Sequence, residues 1–128
     1  MEVMALVYVM TGGAIGSGFR YALMSFIGRV SSGEFPYGTL AVNIIGSLLM
    51  GVWIGFMANL LPDKARNLHL LFAVGVLGGF TTFSTFSLDV FYLFERGQYL
   101  QITAYIFSSV LLSIAALALG VFLVRQIS

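Results

Sequence analysis

Charged residues are scarce in this 128-residue chain, and long runs without any charge separate them. Three runs of 28, 22 and 28 residues without Asp, Glu, Lys or Arg cover positions 35–62, 67–88 and 97–124. A fourth run of 17 residues covers 3–19 and ends at Arg20. A membrane-spanning helix needs about 20 apolar residues. Since 59% of the residues are hydrophobic and the mean hydropathy is +1.01, a water-soluble protein is excluded.

We predict an all-α membrane protein with one four-helix domain over residues 1–128. The spans are helical because an isolated strand cannot satisfy its backbone in lipid. The N-terminus lacks the positive region of a secretory signal, so the first span is expected to remain as a permanent helix. The predicted helices cover about 3–28, 38–61, 68–95 and 99–124, joined by loops at 30–36 and 62–67 and by a tight turn at 96–97.

Several functional classes conflict with the composition. The net charge of +1 gives no basic patch, so we expect no nucleic-acid partner. The chain has no cysteine and a single histidine, His69, which cannot form a zinc site alone. We therefore expect no enzymatic activity, and membrane lipid is the expected surrounding.

Lysines and arginines near the helix ends barely favour one orientation of the chain in the membrane. Lys64, Arg66 and Arg125 are expected on one side of the membrane, and Arg29 and Arg96 on the other. Two interpretations remain open. A weak bias could suffice for one orientation, or the chain inserts in both orientations and pairs as an antiparallel, dual-topology homodimer.

Glycine is frequent inside the predicted spans. Gly12 with Gly16, and Gly51 with Gly55, form small-xxx-small ridges that let helices pack closely. The third span differs, because two adjacent glycines at 78–79 run into five hydroxyl side chains within residues 81–87. We predict that this helix is broken at mid-membrane, near 75–82. The freed carbonyls and amides would then face protein, water or an ion.

Two polar side chains are costly inside a membrane. An arginine at a helix centre costs about 2.5–3.5 kcal/mol on insertion scales, so Arg20 should face a cavity or a partner, unless it snorkels to the interface. Asn43 could join two helices through an amide hydrogen bond or serve a polar path. Both interpretations stay open for each residue.

Further polar and aromatic side chains suggest an ion path. Tyr105, Ser109 and Ser113 are spaced four residues apart, which places three hydroxyls on one helix face, although a single serine there often bonds only its own backbone. Phe83 and Phe86 would share a face beside the break, and an aromatic ring has a positive edge that suits an anion. For either phenylalanine alone, core or lipid contact is the default.

Four motifs, in order, resemble the Fluc fluoride-channel family, also called CrcB. The longest is Gly-Gly-Phe-Thr-Thr-Phe-Ser-Thr-Phe-Ser at 78–87. The others are Gly-x-x-x-Arg-Tyr at 16–21, Gly-Thr-Leu-x-x-Asn-x-x-Gly at 38–46 and Tyr-x-x-x-Ser-x-x-x-Ser at 105–113. The resemblance extends over nearly the whole chain.

This resemblance implies an antiparallel homodimer with two fluoride pathways and a structural sodium ion where the two broken helices cross. Arg20 matches the family's first-helix arginine, for which anion attraction and a structural role both stay open. Asp89 stands where the family more often has glutamate, which leaves any gating contact there uncertain. The implied roles are fluoride pathway for Asn43, Phe83, Phe86, Tyr105, Ser109 and Ser113, and backbone sodium ligation for Gly78 and Thr81.

The expected function is a fluoride-selective passive channel in the plasma (inner) membrane of a microbe, exporting fluoride and giving resistance to it. One alternative is a small multidrug-resistance-type proton-coupled exporter. That mechanism needs a titratable carboxylate in the first membrane helix, where this chain has Arg20 and only the terminal Glu2. A non-transporting packing subunit is a third possibility, but it leaves the row of hydroxyls unexplained.

The charge balance generates a test of topology. In the cysteine-free chain, Ser32→Cys and Asn67→Cys should each react with an impermeant thiol reagent from both sides of the membrane, in comparable fractions. The reason is that three positive charges against two barely favour one orientation. Labelling of each cysteine from one side only would falsify dual topology for this chain.

Overall fold

The structure, a computed structural model, describes residues 2–59 and 62–127, and within them every regular element is helical. Four segments of the described chain are long and apolar enough to cross a membrane: Val3–Val30, Tyr37–Met57, Pro62–Glu95 and Tyr99–Ile127. The prediction of an all-α, multi-pass membrane protein is confirmed at this level. The elements are α1 (Val3–Val30), α2 (Tyr37–Met57), α3 (Pro62–Leu68), a π-helix (His69–Leu77), α4 (Gly78–Phe80), α5 (Phe83–Glu95) and α6 (Tyr99–Ile127).

The segment predicted as the second loop is helical. Helix α3 begins at Pro62, where proline's fixed φ and missing N–H suit the first helical position. Asp63 lies in its first turn and Arg66 in its last, which matches the helix dipole. Helix α2 ends at Met57, and the predicted end at residue 61 lies outside the described residues.

The glycine ridges pack helices closely, as predicted. On α1, a Cβ at Gly12 would meet the carbonyl of Leu71, and one at Gly16 would meet the carbonyl of Val76, so α1 lies directly on the π-helix. On α2, Gly51 lies against the carbonyl of Leu117 in α6. Two closely packed pairs result, α1 with the third span and α2 with α6.

The prediction of unwinding over 75–82 was too broad. Gly75 packs against Gly12, and Gly79 against the carbonyl of Gly13, so these glycines serve helix packing while the chain stays helical. The backbone is extended only at Thr81 and Thr82, between α4 and α5. The third span is therefore two helical segments joined by a two-residue interruption.

The ends of the bundle are fixed by local contacts. Gly97 has a φ of +72°, a conformation that favours glycine, and it makes the predicted turn between α5 and α6. The N–H of Gln98 donates to the carbonyl of Leu93 at 2.9 Å across this turn. At the other end, Arg66 pairs with Glu2 at 3.0 Å, which places the start of α1 beside α3.

The glycine contacts yield a stability prediction with a matched control. Gly16→Ala should lower the thermal stability of the purified protein, because its methyl group would press on the backbone of Val76. Overpacking of this kind costs about 1–3 kcal/mol. Gly18→Ala lies two positions along the same helix, where a Cβ would meet no atom of the described residues within 4 Å, and should have no such cost. Equal melting temperatures for the two variants would contradict this packing.

Candidate functional site

The candidate site is built around the interruption between α4 and α5. Thr81 has φ −84° and ψ 159°, and Thr82 has φ −152° and ψ 119°, so both residues are extended. In a continuous helix the N–H of Thr82 would donate to the carbonyl of Gly78. Here it donates to the side chain of Asn43 instead. The Gly78 carbonyl therefore lacks its helical partner.

Asn43, from the middle of α2, replaces the missing helical bonds of Thr82. Its Oδ1 accepts from the Thr82 N–H at 2.8 Å, and its Nδ2 donates to the Thr82 carbonyl at 3.0 Å. One amide side chain thus satisfies both backbone groups of an extended residue. The structure shows the first interpretation that the sequence left open, in which Asn43 joins α2 to another part of the bundle. These bonds use only one of the two N–H groups of its side-chain amide.

Thr81 is held from three directions. Its N–H and its Oγ1 both donate to the carbonyl of Leu77, each at 3.0 Å. Its methyl group packs against Gly46 of α2, where a Cβ would clash. Its carbonyl accepts from Nη1 of Arg20 at 3.3 Å. Arg20 is half-buried and reaches the break from α1, so it does not need to reach the interface to find a partner.

Thr82 also caps the helix that follows, a role that sequence analysis missed. Its Oγ1 accepts from the N–H of Thr85 at 3.2 Å, which satisfies one of the free amides at the start of α5. The signal was present as a threonine directly before the first helical residue, Phe83, with a second threonine three residues later. No acceptor within the described chain takes the N–H groups of Phe83 and Ser84, so the positive end of α5 stays open.

A cavity of about 350 Å³ lies between α2, the interruption, α5 and α6. Its polar side chains are one amide and hydroxyls, and none of its lining residues is ionisable. An unpaired charge is costly inside a membrane. A lining without charged groups therefore has the lowest free-energy cost when no ion is bound. The lining residues are Asn43, Gly46, Ser47, Met50, Thr81, Thr82, Phe83, Phe86, Ser109, Val110, Ser113, Ile114 and Leu117.

The structure divides the predicted row of hydroxyls on α6. Ser109 and Ser113 line the cavity, and the buried Oγ of Ser109 has no hydrogen-bond partner within the described chain. Tyr105 is fully buried outside the cavity lining, and its hydroxyl donates to Asp89 of α5 at 2.9 Å. The partner of Tyr105 is therefore the acidic residue whose role the sequence left uncertain.

The two phenylalanines of the motif form one side of the cavity. The ring centroids of Phe83 and Phe86 are 5.4 Å apart with planes tilted by 47°. Phe86 also contacts the ring of Tyr105, at 5.1 Å, while Phe83 is 78% exposed. Phe83 is thus available to lipid or to a second chain.

The remaining predicted site residues lie at the edge of this arrangement. Gly78 is exposed and does not line the cavity, and Arg20 does not line it either. Thr81 lines the cavity with Asn43, Phe83, Phe86, Ser109 and Ser113. Among the residues that the structure describes, no cluster of three or more His, Cys, Asp or Glu side chains could hold a metal ion. A cation here would need neutral oxygens, from the backbone or from hydroxyl and amide side chains.

Fold and site together define a multi-pass helical membrane protein with a neutral, hydroxyl-lined cavity at an interrupted helix. The family model described as CrcB-like protein, Camphor Resistance (CrcB), matches residues 7–121. The chain belongs to the CrcB family, as the sequence motifs indicated.

Curated relatives cover nearly the full length. A protein from Agrobacterium fabrum is 48% identical over 119 residues, 93% of this chain and 94% of the relative. One from Nitrobacter winogradskyi is 47% identical over 121 residues, covering 93% and 94%. A third, from Hahella chejuensis, is 43% identical over 127 residues, covering 99% of each chain. All three are named "Fluoride-specific ion channel FluC".

Proposed function

We propose that this chain is a fluoride-selective passive channel that exports fluoride from the cytoplasm and so gives resistance to it. The observation that carries the proposal is the cavity at the interrupted helix, where neutral hydroxyls, one amide and two phenyl rings come together. The relatives named as fluoride channels support the same function.

Weak-acid chemistry gives the reason for such a channel. Neutral HF crosses a membrane, ionises in a less acidic cytoplasm and leaves fluoride trapped as an anion. A negative interior drives an anion outward by about 2.3 kcal/mol per 100 mV, so a pore without an energy source is sufficient. The proposed location is the plasma membrane of a microbe, where this gradient exists.

The cavity offers fluoride hydrogen-bond donors that partly replace its hydration shell. Ser109 has a buried hydroxyl that finds no partner among residues 2–59 and 62–127, and Ser113 adds a second hydroxyl on the same helix face. The positive ring edges of Phe83 and Phe86, with the remaining N–H of Asn43, extend the path towards the open start of α5. Several weak sites in a row suit conduction, because an ion must leave as readily as it enters.

Tyr105 belongs to this path through Asp89 in our proposal. Its hydroxyl proton is donated to the Asp89 carboxylate, so Tyr105 presents oxygen acceptors and no free donor on that side. Fluoride passing from Ser109 towards Tyr105 would need that hydroxyl to rotate away from Asp89. The pair therefore sets one end of the hydroxyl row.

An antiparallel homodimer would complete the cavity. Phe83 is 78% exposed although it lines the site, and many large apolar side chains on the outer faces of the helices are exposed as well. A second copy in the opposite orientation would cover part of this surface, and lipid would cover the rest. The weak charge bias of the loops supports insertion in both orientations.

A structural sodium ion fits the backbone at the interruption. The Gly78 carbonyl has lost its helical donor, and the Thr81 carbonyl receives only a side-chain bond. Two antiparallel chains would supply two such carbonyls each, a set of neutral oxygens that suits a small, hard, monovalent cation. Calcium prefers about six to eight oxygens with carboxylates among them. The ion's charge would compensate carbonyl oxygens that lipid cannot solvate.

A proton-coupled multidrug exporter is the weaker alternative. Such a mechanism needs a titratable carboxylate inside the first membrane helix. The acidic residue nearest to α1 is Glu2, which precedes the helix, is exposed and pairs with Arg66 at 3.0 Å. No lining residue of the cavity could exchange a proton for a cation.

Fluoride efflux from liposomes tests the proposed function. Liposomes containing the purified chain and loaded with potassium fluoride should release fluoride after addition of valinomycin, with no proton gradient applied. Chloride release under the same conditions should be at least about 100-fold slower, because a path narrow enough for hydroxyl and amide donors to surround fluoride excludes the larger chloride ion. Fluoride release that required an imposed proton gradient would instead indicate an exchanger.

Substitution of the rings tests the proposed path. Phe83→Ile and Phe86→Ile keep apolar bulk and remove the positive ring edge, so each should lower the fluoride efflux rate by about tenfold or more. Phe91→Ile, on the same helix but outside the cavity, is the matched control and should conduct at the parent rate. If both cavity variants also formed dimers and conducted like the parent, the aromatic part of the proposal would be wrong.

A further inference from the structure

Arg20 has no assigned role in the conduction path described above. We propose that Arg20 is a positioning residue, whose guanidinium fixes the direction of the Thr81 carbonyl so that this oxygen can bind the structural cation. This inference rests on the sodium site of the proposed function. The sequence left anion attraction and a structural role open for Arg20. A positioning role at the cation site is the structural one.

Close packing of α1 brings the guanidinium to the break. Gly16 lies one turn before Arg20, and its lack of a side chain lets α1 touch the backbone of Val76 and Phe80. At this separation Nη1 of Arg20 lies 3.3 Å from the Thr81 carbonyl oxygen. The glycine and the arginine therefore act as one unit, the first setting the distance and the second making the bond.

The Thr81 carbonyl depends on this bond. In a continuous helix its donor would be the N–H of Thr85, but that N–H donates to the Oγ1 of Thr82 at 3.2 Å. Arg20 is then the one donor that this carbonyl has within residues 2–59 and 62–127. Without it, the peptide between Thr81 and Thr82 would keep only the hydrogen bond from its N–H to Asn43.

The position of Arg20 does not favour direct attraction of the anion. The cavity lies between α2, α5 and α6, and Arg20, on α1, is absent from its lining. The guanidinium donates to the Thr81 carbonyl instead. Its nearest described partner is thus a group of the cation site, not of the fluoride path.

Binding of a guanidinium does not exclude binding of sodium at the same oxygen. A carbonyl oxygen has two lone pairs, so Arg20 can occupy one direction and leave the other for a metal ion. Orientation matters because carbonyl dipoles bind a cation only when they converge. Repulsion between the guanidinium and sodium opposes binding of sodium. The Arg20→Lys variant would repel sodium in the same way and would also keep a charged donor at this oxygen.

Sodium-dependent stability is the readout. Purified parent, Arg20→Lys and Arg20→Met would be melted in detergent over a series of sodium concentrations, with N-methyl-D-glucamine replacing sodium. Arg20→Met should need about tenfold more sodium for half of the stabilisation, the scale of one lost charged hydrogen bond. Arg20→Lys should stay within about threefold of the parent, because it keeps a charged donor.

Arg29→Met is the matched control, since this exposed arginine at the end of the same helix makes no hydrogen bond to the break. It should keep the parent's sodium dependence. For Arg20→Met in saturating sodium, the fluoride concentration that gives half-maximal efflux should also match the parent. If Arg20→Met does not fold, Arg20→Gln, with a shorter and neutral donor, should show the same loss.

Two results would overturn the inference. One is an unchanged sodium dependence in Arg20→Met together with a weaker apparent fluoride affinity, which would assign Arg20 to anion attraction. The other is a parent chain that sodium does not stabilise. Failure of the proposed function would be seen separately, as absence of fluoride efflux from the parent, because the melting experiment does not depend on conduction.

Discussion

The paired hydrogen bonds between Asn43 and Thr82 are the interaction on which the site depends. A span that leaves helical geometry in a membrane exposes backbone groups that lipid cannot satisfy, at a cost of several kcal/mol each. One asparagine satisfies the N–H and the carbonyl of Thr82 at 2.8 and 3.0 Å. Because α2 supplies this amide and α1 supplies Arg20 to Thr81, the interruption is held from two helices.

The order at the interruption explains why a cavity can lie beside it. Thr82 precedes α5 and caps it, so α5 begins at a fixed point, with the N–H groups of Phe83 and Ser84 left without an acceptor in the described chain. Ser109 and Ser113 of α6 face this region across the cavity. Acceptors such as the Gly78 carbonyl and donors such as the Ser109 hydroxyl remain available on the two sides, which suits a cation at one and an anion at the other.

Much of this arrangement could be predicted from the sequence, for identifiable reasons. Charge spacing and hydropathy predicted four spans, and the ridges at Gly12 and Gly16 predicted close packing, because both are local properties of the chain. The π-helix at His69–Leu77 and the helical second loop were not predicted. Gly75 and Gly79 suggested unwinding, yet their use in packing depends on where α1 lies, which no local pattern reveals.

The different surroundings of Tyr105 and of the two serines could not be predicted from the sequence, for a similar reason. Spacing of four residues places three hydroxyls on one helix face, but only the neighbouring helix decides which of them stays free. Asp89 of α5 accepts the hydroxyl proton of Tyr105, and no group in the described part of the chain accepts that of Ser109. Likewise, the partner of Asn43 could not be read from α2 alone, because it lies 39 residues away along the chain.

Amide hydrogen exchange at Thr82 measures how firmly Asn43 holds the interruption. If Asn43 holds the interruption, the Thr82 N–H should exchange slowly although it lies outside any helix. It should exchange at least about 100-fold more slowly than the N–H of Ser84, which has no acceptor in the described chain. NMR of the isotope-labelled protein in detergent can measure both rates. Equal, fast exchange at the two positions would contradict an interruption held in place by Asn43.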